Sequence, residues 1–183
     1  MSGSGAFTIL HALHNEDADM TTSSDQGFPR WLILLGALTA IGPLSIDMYL
    51  PAFPQIERSL GGLPGSVELT LASFFIGLTF GQLFYGPLSD RFGRKKPLYA
   101  GLAIYTLASI GAAFAPSIPA LIVCRFLQGM GGCAGIIIPS AIVRDRTTAR
   151  ESARAFSLLM LVMGLAPILA PLIGGGLLTQ WGW

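Results

Sequence analysis

The chain has 183 residues, of which 52% are hydrophobic and only 11% charged, with a formal net charge of +1. Its mean hydropathy is +0.63, and beyond the first thirty residues six acids and ten bases serve 153 positions. So few charges cannot cover a water-soluble surface, and a near-neutral balance gives no electrostatic footprint for nucleic acid.

Residues 1–30 hold four of the acids, Glu16, Asp17, Asp19 and Asp25. They lack the basic start, long apolar core and small-residue cleavage site of a secretory signal. The segment reads as a flexible cytoplasmic lead-in, with His11 and His14 as surface residues rather than metal ligands. Five apolar stretches follow, at about 31–51, 68–88, 97–114, 118–142 and 155–178. Each is long enough to cross a hydrocarbon layer about 30 Å thick. Backbone polar groups must be paired inside lipid, so each stretch is a helix or belongs to a closed barrel. The strict alternation of barrel strands is absent, and the expected fold class is an all-α polytopic membrane protein.

Pro43, Pro167 and Pro171 fall inside spans and predict bends. Gly77/Gly81 and Gly131/Gly135 form small-xxx-small pairs where helices can approach closely. Cys124 and Cys133, nine residues apart in one span, lie about 13 Å apart along a helix, too far for a mutual disulfide.

The connections alternate in charge. SDRFGRKK carries Arg91, Arg94, Lys95 and Lys96 against Asp90, and the fourth connection carries Arg144, Arg146, Arg150 and Arg154 against Asp145 and Glu151. The first holds only Glu57 and Arg58, and the third has no charge. The positive-inside rule then places the amino terminus in the cytoplasm. An end at TQWGW after five spans predicts that this is the front part of a longer protein.

Two ionisable residues lie well inside spans, Asp47 and Arg125. Such charges are costly and usually face a partner or an aqueous cavity. Counted along antiparallel helices, both fall roughly 10 Å below the outer surface. Asp47 is therefore a candidate proton or substrate acid, with Arg125 tuning it, and a structural ion pair is the alternative. Gln128 sits one turn from Arg125 on the same face. Tyr49, Phe74, Phe75, Phe80, Phe84 and Tyr85 are candidates for an aromatic cavity wall. No metal cluster, nucleotide loop or catalytic constellation is present in the sequence.

GPLSDRFGRKK is the most specific stretch. Gly86, Leu88, Asp90, Arg91, Gly93, Arg94 and Lys95 match the form G-x-L-x-D-R-x-G-R-[KR], and the segment resembles the cytoplasmic gate of the major facilitator superfamily. Gly86 is expected at a close helix contact, and Gly93 in a tight turn. The resemblance implies that Asp90 and Arg91 join a charge relay locking the gate. RFLQGMGGCAG, with Arg125 and Gln128, is similar to the family's fourth-span motif, whose arginine is associated with proton coupling. GLAPILAPLIGG, with Gly164, Pro167, Pro171, Gly174 and Gly175, is similar to the antiporter motif of span five, with Ala170 where that motif has its first glycine. A bent, close-packed helix is expected there. SIDMYLPAFP, from Ser45 to Pro54, resembles the Bcr/CflA drug-resistance subfamily.

These resemblances imply the amino-terminal part of a major facilitator fold of about twelve spans, located in the bacterial inner membrane. They imply a non-enzymatic exporter of drug-like or antibiotic molecules, driven by the proton gradient and needing no cofactor. Its partners would be the small molecule, protons, membrane lipids and the remaining carboxy-terminal spans. Solute uptake by symport and a truncated, non-transporting membrane protein are the alternatives.

Overall fold

The computed structural model describes residues 30–183. The expected lead-in, with His11 and His14, lies outside the described residues. Seven helices follow in order: α1 Arg30–Asp47, α2 Phe53–Leu60, α3 Glu68–Phe92, α4 Lys95–Ala113, α5 Ile118–Gly132, α6 Ala134–Arg146 and α7 Ala149–Trp181. Among the described residues there is no strand. Backbone contacts divide the chain after Ile33, and Leu34–Trp183 form the unit that carries both cavities.

Four stretches are long and apolar enough to cross a membrane: Trp31–Leu60, Glu68–Phe92, Ile118–Arg146 and Ala149–Trp181. The expected third span is α4, whose 19 residues reach about 28 Å. Two lysines at its start, with Tyr99, Tyr105, Thr106 and Ser109 along it, make it the most polar of the five.

The first span departs from the sequence expectation. Its helix stops at Asp47 rather than Pro51, and Pro51 sits in a 3-10 turn, Leu50–Ala52. Proline lacks an N–H and disfavours helical geometry in the residue before it, so two prolines three residues apart, Pro51 and Pro54, re-aim the chain. The segment with Glu57 and Arg58, expected as a loop, is the short helix α2, which buries Ile56 completely. In contrast, α1 and α7 continue through Pro43, Pro167 and Pro171 without interruption. The expected fourth span is two helices, α5 and α6, meeting at Cys133, whose backbone stays helical (φ −56, ψ −34).

Helix α5 is the centre of the packing, held between α3 and α4. Hydrophobic segregation cannot drive helices together in lipid, so close backbone approach does the work. On the α3 seam, a Cβ on Gly77 would strike the Phe126 carbonyl, and one on Gly129 would strike the Phe74 carbonyl. Gly81 is as tight, its would-be Cβ 2.8 Å from the Met130 carbonyl oxygen. The α4 seam closes on Gly131 against Gly101 and Tyr105, and Gly135 turns toward the Leu38 carbonyl of α1. Both expected glycine pairs thus lie on packed faces.

Two core clusters among the described residues are small. One gathers Ala52, Ile56, Val67, Ala115, Ile118 and Leu121 beneath α2, and the other Tyr85, Cys133, Ala134 and Ile138. Large apolar side chains instead cover the outside, among them Phe75, Phe80, Leu83 and Phe84 on α3 and Met160, Leu161, Ile168 and Leu172 on α7. A surface of that kind suits hydrocarbon, not water. Cys124 and Cys133 are both free thiols.

Substituting Gly129→Leu should force α3 off α5 and cost at least about 2 kcal/mol, the scale of overpacking a tight core. Gly175→Ala, where a Cβ meets nothing within 4 Å, should be nearly neutral. Thermal unfolding of the two detergent-purified variants, followed by size-exclusion chromatography, checks the contrast.

Candidate functional site

The bundle end that carries α2 holds a cavity of about 360 Å³, within the size range of small-molecule sites. Its wall includes Ser45, Tyr49, Tyr105, Ser109, Arg125 and Gln128, closed by apolar residues of α2, α4 and α7. Arg125 is only 6% exposed and Gln128 7%.

The ending of α1 explains how this arginine is held. The last carbonyls of a helix have no partner within it. The Met48 N–H still reaches the Leu44 carbonyl, but the Tyr49 N–H goes to Ile46, leaving the Ser45 carbonyl free. Arg125 Nη1 donates to that oxygen at 3.0 Å and to Gln128 Oε1 at 3.1 Å. The guanidinium therefore caps the negative end of the α1 dipole. The Tyr49 ring covers it with 3.4 Å between guanidinium carbon and ring centroid, and the Phe74 ring lies 6.0 Å away. Such stacking stabilises a desolvated cation.

Hydrogen bonds extend this arrangement in two directions. Gln128 Nε2 donates to Ser109 Oγ at 2.8 Å, and Ser109 Oγ donates to the Tyr105 carbonyl at 2.7 Å. Ser45 Oγ donates to the Ile41 carbonyl at 2.6 Å, so the Tyr105 hydroxyl, also 2.6 Å away, donates to Ser45. By the same reasoning the Tyr49 hydroxyl donates to Thr70 Oγ1, which itself donates to Val67. Arg125 thus ties α1, α3, α4 and α5 together through named bonds.

The structure does not bring Asp47 to Arg125. No ion pair joins them, and Asp47 is half-buried outside the cavity wall. It lies two positions after Ser45, which at about 100° per residue turns it to the far side of α1. Of the proposed aromatic wall only Tyr49 lines the cavity. Phe74 and Tyr85 are buried, whereas Phe75, Phe80 and Phe84 point outward, because helical periodicity sends neighbours to opposite faces. Ser45, Tyr105 and Ser109 went unnoticed in the sequence. The hydroxyls of Tyr105 and Ser109, at i and i+4 on α4, were the available signal.

The opposite, basic end carries a second constellation. Gly93 has φ 80, which lets the chain reverse between α3 and α4. Arg94 follows and acts as the hub: Nη1 donates to Asp90 Oδ1 at 2.7 Å and Ser89 Oγ at 2.6 Å, and Nε to Asp145 Oδ2 at 2.8 Å. The hydrogen bond to Asp145 is the main reason its pKa lies above the ordinary guanidinium value, and Asp90 adds to it against slight desolvation. Arg91, expected in this relay, is exposed and lies over the Phe92 ring at 5.5 Å without an ion pair. Arg91, next to Asp90 on α3, points away from it, whereas Arg94, beyond the reversal at Gly93, is turned back onto Asp90. Lys95 is exposed at the start of α4. Gly86 faces open space rather than a helix and lines a groove of about 450 Å³ with Gln82, Asp90, Arg94 and Asp145. Ser89 and Asp145 were not expected in this cluster.

On α7 the expected close packing holds at one place. Gly174 lies against the Met48 backbone, where a Cβ would come within 2.8 Å of its Cα. Gly164 and Gly175 face open space, Pro167 is exposed and Pro171 half-buried. Among the described residues no group of three or more His, Cys, Asp or Glu side chains could hold a metal ion.

This architecture is that of a multi-pass membrane protein, and comparison with known sequences gives its family. The sequence profile of the Major Facilitator Superfamily matches residues 28–183. The chain belongs to that superfamily. It is 47% identical over 145 residues, 79% of its length, to the uncharacterized MFS-type transporter YdgK of Bacillus subtilis, covering 36% of that protein. It is 36% identical over 153 residues, 84% of its length, to a bicyclomycin resistance protein homolog of Haemophilus influenzae, covering 38% of it. To multidrug resistance protein D of Escherichia coli it is 36% identical over 152 residues, 83% of its length and 39% of that protein. The chain thus matches well under half the length of these relatives.

Replacing Arg94→Gln should remove both ion pairs while leaving the bundle folded, because exposed pairs contribute about 0.2–1 kcal/mol each. Arg91→Gln should change stability by less than about 0.5 kcal/mol. A double-mutant cycle of Arg94→Gln with Asp145→Asn, read by thermal unfolding at low and high salt, should show a coupling that salt weakens.

Proposed function

We propose that the complete protein exports drug-like small molecules across the bacterial inner membrane in exchange for protons. The observation that carries this reading is the buried Arg125, Gln128 and Ser45 network lining a ligand-sized cavity, in a chain whose relatives include proteins named for bicyclomycin and multidrug resistance. A charge inside the membrane that faces a cavity is a functional-site candidate by default. No covalent step is involved, so the protein needs no cofactor and draws on the proton gradient.

In this reading Arg125 couples proton and substrate movement, and Gln128 orients it. Asp47 carries the proton from its own face of α1, since it does not reach the guanidinium. Asp90, Arg94 and Asp145 hold the basic end shut, with Gly86 in the groove beside them and Gly93 making the turn. Arg91 and Lys95 supply positive charge on the cytoplasmic side, together with Lys96 and the arginines after Val143. Gly174 seats α7 on the turn after α1, while Gly164, Pro167, Pro171 and Gly175 offer a thin face to the carboxy-terminal spans of the same protein.

Two measurements test this reading. In everted membrane vesicles containing the complete gene product, adding a transported drug should dissipate an imposed pH gradient. Arg125→Gln should reduce that response at least ten-fold, with expression and elution volume unchanged; a normal response would end the assignment. For orientation, a cysteine placed by Lys96→Cys should react with an impermeant maleimide only when the cytoplasmic side is accessible.

A further inference from the structure

The cavity wall has an unusual charge balance. Arg125 is its one permanently charged side chain, since a guanidinium keeps its proton, and no carboxylate is among the lining residues. The nearest acid in sequence, Asp47, is turned to the other side of α1 and does not line the space. What stabilises the charge is a helix-end carbonyl, a side-chain amide oxygen and an aromatic face, all of them dipolar or quadrupolar.

That coordination leaves donors over. A guanidinium carries five N–H groups. Nη1 makes two hydrogen bonds, Nε is buried without a partner, and Nη2 makes no hydrogen bond to any described residue. The Tyr49 ring blocks one face, so the remaining capacity lies along the edge of the group. The hydroxyls of the wall, on Ser45, Tyr49, Tyr105 and Ser109, are already tied to other side chains or to backbone carbonyls.

We infer that this cavity selects its ligand by charge, admitting neutral or anionic molecules that present an electron-rich oxygen to Arg125 and rejecting lipophilic cations. The inference rests on the transport reading above for the identity of the ligand as substrate, while the charge preference itself is a property of binding. A carboxylate, nitro, sulfonyl or amide oxygen satisfies the spare Nη2 N–H groups, and each such charge-assisted bond is short and strong. A cation brought to about 7 Å from the guanidinium, at an effective dielectric constant of about 20, loses roughly fifty-fold in affinity from repulsion alone.

The test uses the complete gene product, purified in detergent, and three radiolabelled probes in a scintillation proximity assay: chloramphenicol (neutral), fusidate (anionic) and tetraphenylphosphonium (cationic). Chloramphenicol or fusidate should bind at least ten-fold more tightly than tetraphenylphosphonium. Gln128→Glu, which sets a carboxylate where the amide oxygen already accepts from Arg125, should raise tetraphenylphosphonium affinity at least ten-fold and weaken fusidate. Tetraphenylphosphonium binding as tightly as the other two, no binding by any probe, or a Gln128→Glu protein whose preference is unmoved would each overturn the inference. If that variant fails to fold, the wild-type ratio alone decides the matter. Reconstitution under a pH gradient separates the two readings, because selective binding without gradient-driven movement would defeat the transport assignment and leave the charge preference standing.

Discussion

A guanidinium buried in a membrane bundle with no carboxylate beside it is the constraint around which the rest of this structure is arranged. Placing such a charge in hydrocarbon is costly, and pairing it with an acid would have been the familiar remedy. Here Arg125 is instead met by the frayed end of α1, by Gln128 and by the Tyr49 ring. Each of these depends on something further out. The Ser45 carbonyl is free because the α1 hydrogen-bond ladder stops short at the 3-10 turn. The Tyr49 ring is fixed by its hydroxyl on Thr70 of α3, and Gln128 is steadied by Ser109 of α4. A proline-interrupted first span, which looks like a defect in a helix, is what makes the carbonyl available.

The glycine seams serve the same arrangement. Arg125 and Gln128 are on α5, and their partners are on α1, α3 and α4, so α5 must approach three helices to within hydrogen-bonding range of short side chains. Gly77 and Gly129 let α3 and α5 touch backbone to backbone, and Gly101 and Gly131 do so for α4 and α5. With larger residues at these crossings, serine and threonine hydroxyls could not bridge the gap. Ser73 illustrates the spacing, since its hydroxyl reaches across to the Ile122 carbonyl at 3.0 Å.

Much of this was legible before any coordinates. Hydropathy located the long apolar helices, and the glycine pairs marked packed faces. What sequence reasoning misplaced has a common physical cause. Depth in the membrane can be counted from a span boundary, but the direction of a side chain around the helix axis depends on which face packs. Asp47 and Arg125 share a depth by counting and still do not meet, because Asp47 is rotated away from Ser45. Arg91 and Arg94 both sit in a matching motif, yet only Arg94, which the reversal at Gly93 folds back, reaches Asp90. Gly86, Gly164 and Gly175 look identical in sequence to Gly77 and Gly174, but their surroundings within these residues are open. The hydroxyl pair Tyr105 and Ser109 was visible as a polar stripe on α4 and would have pointed to the cavity had facing been weighed along with depth.

The two constellations differ in a way that bears on movement. The Arg125 network is buried, joined to four helices and flanked by backbone-close crossings, so removing any member leaves a desolvated donor or charge behind. The two ion pairs of the Arg94 cluster go to exposed carboxylates, with Asp90 69% and Asp145 50% accessible, and water can replace either pair at small cost. Between them α5 and α6 form one nearly continuous stretch, with Arg125 at one end and Asp145 at the other. Under the transport function proposed above, the weak, solvated contacts are the ones able to break and re-form repeatedly as the ends open in turn, while the buried guanidinium holds its helices in register. On that proposal the basic end sets how readily the bundle changes state, and the cavity end sets what it recognises.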